Sequence, residues 1–135
     1  MSRILVIEDQ SQVRSVILTV LRAKGYDVVG ANNGVSGLKM FDESHFDLAI
    51  VDLYMPGVDG VKVIKELRSR RPDLPILAIS GVLLGDSNHT ALDFFPSAAG
   101  LSDITCLKKP FKASQLLVAV EKAGNFSSLG AMARN

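Results

Sequence analysis

Short apolar runs alternate along this chain with stretches of helical periodicity. The runs at 4–7, 48–51 and 76–79 are nearly uninterrupted, as expected of strands buried on both faces. Weaker runs at 27–31 and 104–107 carry Asp27, Gly30, Thr105 and Cys106. Between the first two runs, Val13, Val16, Ile17, Val20 and Leu21 follow the i, i+3, i+4, i+7, i+8 spacing of one helix face. Lys24-Gly25 supplies a basic last turn and a C-cap glycine. Val35, Leu38 and Phe41 predict a second helix, and Val61, Ile64 and Leu67 a third with Asp59 as its N-cap. Leu116, Leu117 and Val120 predict the last helix, closed by Gly124-Asn125. A helix from Asp86 or Ser87 through Ala91, Leu92 and Phe95, ended or kinked by Pro96, fills the remaining gap.

Five strands alternating with helices imply an α/β fold: a doubly wound, five-stranded parallel sheet with helices on both faces. The three most apolar strands belong at the centre and the two milder ones at the edges. That matches the flavodoxin-like order 2-1-3-4-5, in which strands 1 and 3 meet at the topological switch point where such sheets bind ligands.

Composition narrows the class. The chain has 135 residues, 47% of them apolar, enough for one domain with its own core. A net charge of +1 gives no nucleic-acid footprint, and the basic cluster Arg68, Arg70 and Arg71 reads as a solvated helix end. The single cysteine, Cys106, excludes an internal disulfide, and no Cys/His metal pattern is present. No apolar run approaches a membrane span or a signal peptide, so a soluble cytoplasmic protein without membrane insertion is expected. His45 and His89 read as surface residues.

The candidate chemistry lies where strands stop. The first run ends in Glu8-Asp9 and the third in Asp52, both at the switch point. Adjacent strands lie about 4.8 Å apart, so Asp9 and Asp52 can reach one hard divalent cation, for which Mg²⁺ is the natural match. The fourth strand ends Ser80-Gly81, offering a hydroxyl, a closely approaching backbone and an N–H. The fifth ends Lys108-Lys109-Pro110-Phe111, and Lys109 starts roughly 10 Å from Asp52, within reach of a lysine stem. A carboxylate so placed can accept a phosphoryl group, with the cation, Ser80 and Lys109 holding its oxygens.

Glu8-Asp9, Asp52 with Met55-Pro56-Gly57 and Asp59-Gly60, Ser80-Gly81, and Lys109-Pro110-Phe111, each after its own strand, together resemble the receiver domain of two-component response regulators. The resemblance covers about residues 3–123, leaving 124–135 as a short tail, and implies a single-domain regulator without an output domain. It implies phosphorylation of Asp52 by a histidine kinase or a histidine phosphotransfer protein. It implies Mg²⁺ held by Asp9, Asp52 and the backbone carbonyl of Tyr54, with Glu8 acting through water. It further implies phosphoryl binding by Ser80, Gly81 and Lys109, a cis bond before Pro110, and access tuned by Tyr54 and Val82. Output would pass to a downstream protein target or by onward phosphotransfer, with a dimer through the fourth-helix and fifth-strand region as one option. The role is a signalling module rather than an enzyme.

Two features depart from the family pattern. Cys106 stands where an aromatic switch residue is usual, and the interval from Ser80 to Lys109 is longer than is common, with the extra length expected in Gly81–Asn88. Readout through segment 81–100 follows as an expectation. Two other readings compete: a haloacid-dehalogenase-type phosphatase, which would want an acid where Tyr54 stands, and a degenerate receiver used as a constitutive binding module.

Overall fold

The computed structural model describes residues 2–55, 58–81 and 104–125. Seven strands and four helices follow in the order β1 (Arg3–Ile7), α1 (Ser11–Ala23), β2 (Asp27–Ala31), α2 (Gly34–Glu43), β3 (Leu48–Asp52), β4 (Tyr54–Met55), β5 (Val58–Asp59), α3 (Gly60–Arg70), β6 (Ile76–Ser80), β7 (Thr105–Lys108) and α4 (Ala113–Gly124). The helix expected from Asp86 or Ser87, His89, Val82 and the tail beyond Asn125 lie outside the described residues.

Five strands form one parallel sheet ordered β2-β1-β3-β6-β7, and β4 and β5 form a small antiparallel pair. Counting only the strands of the large sheet, this is the doubly wound order 2-1-3-4-5 expected from strand hydrophobicity. The burial pattern shows why. All five residues of β3 and of β6 are buried, as are four of the five in β1, whereas β2 and β7 are only partly covered. A strand flanked by neighbours and helices on both faces must be apolar throughout; an edge strand need not be.

Alternation along the strands splits the core into two layers. Leu5, Ile7, Ala49, Val51, Ile76 and Ala78 face α2 and α3, against Leu38, Phe41, Val63, Ile64 and Leu67. Ile4, Val6, Leu48, Ile50, Leu77 and Ile79 face α1 and α4, against Ile17, Leu21, Leu116 and Val120. Helix ends fall where the caps predict. Gly25 closes α1 at φ 100°, a left-handed conformation that glycine adopts at little cost, and Asn125 caps α4 at φ 55°.

Some sequence expectations change. Val16 and Val35, read as buried helix positions, are 53% and 79% exposed. On α2 the tight contact comes from a glycine instead. A Cβ on Gly37 would lie 2.5 Å from Ile7 Cδ1, so this helix sits against β1 by lacking a side chain. The arginine cluster is not merely solvated. Arg68 donates to the Leu74 carbonyl, Arg70 pairs with Asp42 and Glu66, and Arg71 donates to the Phe46 carbonyl. No helix among the described residues is long and apolar enough to cross a membrane.

Candidate functional site

Sheet register assembles the site. Ile7 pairs with Val51, so the next residues, Glu8 and Asp52, emerge level on neighbouring strands. Asp52 pairs with Ile79 and Ser80 with Lys108, so Ser80 and Lys109 each stand one step further along. The backbone is tied at the same level: Leu53 N–H donates to Ile79 O at 2.8 Å and Lys109 N–H to Ser80 O at 2.8 Å. The Lys109–Pro110 bond is cis.

Glu8, Asp52 and Ser80 are the only buried polar or charged residues among those described, at 1%, 2% and 0% exposure. The Lys109 ammonium sits between the two acids. Nζ donates to Asp52 Oδ2 at 3.1 Å and contacts Glu8 Oε1 at 2.7 Å as an ion pair without hydrogen-bond geometry. Asp52 Oδ1 accepts from Tyr54 N–H at 3.1 Å. Ligand oxygens of Glu8, Asp9 and Asp52 all lie within 4.8 Å of one another.

Among the described residues the charges at the site do not balance. Three carboxyl groups face one ammonium. Burial pushes the Glu8 carboxyl up to about 8, helped by its hydrogen bond to Asp52 and opposed by Lys109. Burial also works against the Lys109 ammonium, but its close contacts with Glu8 and Asp52 and the attraction of both charges outweigh it and raise its pKa. Without a further cation the site relieves its excess of negative charge by holding a proton on Glu8.

Besides Glu8 Oε1, which has only its ion pair, two buried oxygens lack any hydrogen-bond partner among the described residues: Asp9 Oδ1 and Ser80 Oγ. Such orphans are costly unless something else binds there. Asp9 is not explained as a helix cap, because the N-cap of α1 is Gln10. A clustered, carboxylate-rich oxygen set with one unsatisfied ligand atom fits a hard divalent cation such as Mg²⁺.

The other expected site residues fall as follows. Tyr54 is 44% exposed beside the site. Gly81 directly follows Ser80, and a Cβ there would meet no described atom within 4 Å. The glycine that is required is Gly60. A Cβ on it would lie 2.5 Å from Asp52 O and from Leu53 Cα, so only glycine lets α3 begin against the end of β3. Cys106 is half-buried, its thiol donating to Ile104 O at 3.6 Å and raised in pKa by burial. That favours the neutral thiol and suits a packing role. His45 is on the surface, and it has a partner there: Asp47, at 3.3 Å.

The chain is similar to known proteins. The sequence profile of the response regulator receiver domain matches residues 4–121. The chain belongs to the response regulator receiver family. It is 31% identical over 122 residues to the response regulator receiver protein CpdR of Brucella abortus, covering 90% of this chain and 96% of that one. It is 30% identical over 128 residues to the regulatory protein AtoC of Escherichia coli, covering 95% of this chain but 26% of AtoC. It is 34% identical to the probable transcriptional regulator ycf27 of Porphyridium aerugineum, of which it spans 50%. Among solved structures, the chemotaxis protein CheY4 of Vibrio cholerae superposes with a TM-score of 0.78 at 26% identity, covering 91% of this chain and 98% of that one. The receiver thus spans a quarter to a half of some relatives and nearly the whole of others.

Proposed function

We propose that this receiver accepts a phosphoryl group on Asp52 from a histidine kinase or histidine phosphotransfer protein and signals as a single domain in the cytoplasm. The observation that carries the reading is Asp52 itself: a buried carboxylate at the switch point, bonded by Lys109 and Tyr54 N–H, beside two further acids. Asp9, Asp52 and the Tyr54 carbonyl would hold Mg²⁺, with Glu8 acting through water. The cation, when bound, neutralises the acid cluster and the charge on the transferring group.

In the transfer, a carboxylate oxygen of Asp52 forms a bond to phosphorus as the donor's P–N bond breaks, or its P–O bond when acetyl phosphate is the donor. The leaving group takes the bonding electrons. Lys109 already lies between Glu8 and Asp52 and needs only to shift its contact toward the new phosphoryl oxygens. The unpartnered Ser80 hydroxyl supplies a donor from the other side, with Gly81 next to it. Tyr54, half-exposed at the entrance, limits the approach of water. With Cys106 in place of a ring, the readout passes through segment 81–100 to a downstream protein, by onward phosphotransfer, or by dimerisation.

Incubation with Mg²⁺ and acetyl phosphate, read by intact mass, tests the reading. One phosphoryl adduct on the wild type, absent in Asp52→Asn, is expected. Rapid turnover of small phosphoesters would instead identify a phosphatase, and a wild type without adduct a constitutive binding module.

A further inference from the structure

Arg14 plays no part in the phosphoacceptor set. The structure gives it a distinctive position. Its Nη1 donates to the backbone carbonyl of Glu8 at 2.8 Å, from within the first turns of α1. The Glu8 backbone is held a second time, where its N–H donates to Ala31 O of β2 at 3.0 Å.

The contact closes a ring around the acidic turn. Glu8 Oε2 accepts from Gln10 N–H at 3.4 Å. Gln10 O accepts from Arg14 N–H at 2.9 Å. The Arg14 side chain then returns to Glu8 O. Backbone and side chain of Glu8 are thereby both tied to the start of α1, with Asp9 between the tied points.

Room for the arginine stem comes from Gly30 on β2. A Cβ there would lie 3.1 Å from Arg14 Cδ, 3.3 Å from Arg14 Cγ and 3.1 Å from Leu18 Cδ1. A glycine inside a strand weakens it and commonly marks a close approach by another group. Here the approaching group is the Arg14 stem.

We infer that Arg14 is a positioning residue: seated over Gly30, it fixes the Glu8-Asp9 turn and so sets the affinity of the acid cluster for its divalent cation. Removing groups that orient metal ligands commonly costs ~10- to 100-fold in affinity. The inference rests on the proposed Mg²⁺ site, and the test separates the two.

Mg²⁺ is titrated into the metal-free 135-residue chain and followed by backbone amide chemical shifts, in wild type, Arg14→Met and Arg14→Lys. Methionine keeps an apolar stem over Gly30 but has no donor. The expectation is Mg²⁺ binding about ten-fold weaker in Arg14→Met, with partial rescue in Arg14→Lys. In the metal-free protein, the amides of Asp9 and Gln10 should exchange faster in Arg14→Met, while the amides of β3 and β6 keep wild-type protection. A general loss of packing would instead raise exchange throughout the sheet.

Gly30→Ala offers an independent route, because it crowds the stem without touching the donor. It should weaken Mg²⁺ binding in the wild-type background and add nothing on top of Arg14→Met. Wild-type affinity and exchange in Arg14→Met would overturn the inference while leaving the metal site standing. A wild type that ignores Mg²⁺ would overturn both.

Discussion

The two ends of the sheet carry charge in opposite ways. At the N-terminal ends of the strands, charged groups are part-exposed and paired. Arg3 lies 3.3 Å from Asp27, its neighbour in register, and its N–H donates to Asp47 Oδ2 at 2.8 Å. The Arg3 guanidinium lies 5.1 Å from the Phe46 ring centroid, and His45 meets Asp47 at 3.3 Å. At the C-terminal ends, Glu8 and Asp52 are buried, the acids outnumber the base three to one, and two oxygens have no partner among the described residues. Pairing serves the fold at one end. Imbalance at the other suits the cation and the phosphoryl group of the proposed function.

The sharpest way to break this contrast is to remove Lys109. Lys109→Met strips from the buried acids the one ammonium that meets them among the described residues. Transfer from acetyl phosphate should fall by about 10²-fold or more, since the lysine stabilises the transferring group. Breaking a buried pair of this kind also costs roughly 3–5 kcal/mol in the metal-free protein. Intact mass and urea unfolding measure the two effects; wild-type values in both would remove Lys109 from the site.

A smaller effect comes from pH. Glu8 is raised by burial from its ordinary 4.5 to about 8. Between those values the folded chain holds a proton that the unfolded chain has released, so unfolding releases a proton. Stability of the metal-free protein therefore falls as pH rises from about 4.5 through about 8. Glu8→Gln should flatten that slope, as should saturating Mg²⁺. Urea midpoints at three pH values check it, and a slope that survives Glu8→Gln would assign the dependence to another group.

The smallest effects belong to the opposite end. His45→Gln should change stability by less than about 1 kcal/mol, because exposed pairs contribute little. Arg3→Ala loses an exposed pair and a cation–π contact, about 1–2 kcal/mol together. Neither should alter the yield of phosphoryl adduct. A loss of adduct in either would show that the two ends are coupled and would end the comparison.

Much of this was legible in the chain. Strand positions, their order and the acids at the switch point follow from apolar runs and from where they end. Helix faces were read less well, for a physical reason. Periodicity marks the apolar side of a helix but not how wide its contact is. Ile17 and Leu21 reach the sheet, whereas Val16, on the same stripe, faces a groove beside Val13, Pro110 and Phe111. Glycine contacts leave no hydrophobic signal at all, so the closeness of Gly37 to Ile7 and of Gly60 to Asp52 was invisible. The arginine cluster at the end of α3 reads as solvated charge in sequence because Phe46 and Asp42, which Arg71 and Arg70 meet, lie on other elements.

By itself the sequence determined which segments are buried strands, which strands are central, and that Glu8, Asp9 and Asp52 end at the switch point. Those facts are local: they depend on the spacing of apolar residues along one segment. Only the tertiary structure decided that Lys109 bridges Glu8 and Asp52, that Asp9 and Ser80 have oxygens without a partner among the described residues, and that Arg14 reaches across Gly30 to the Glu8 carbonyl. Those depend on register between strands and on ångström-scale gaps between elements, which no single segment encodes.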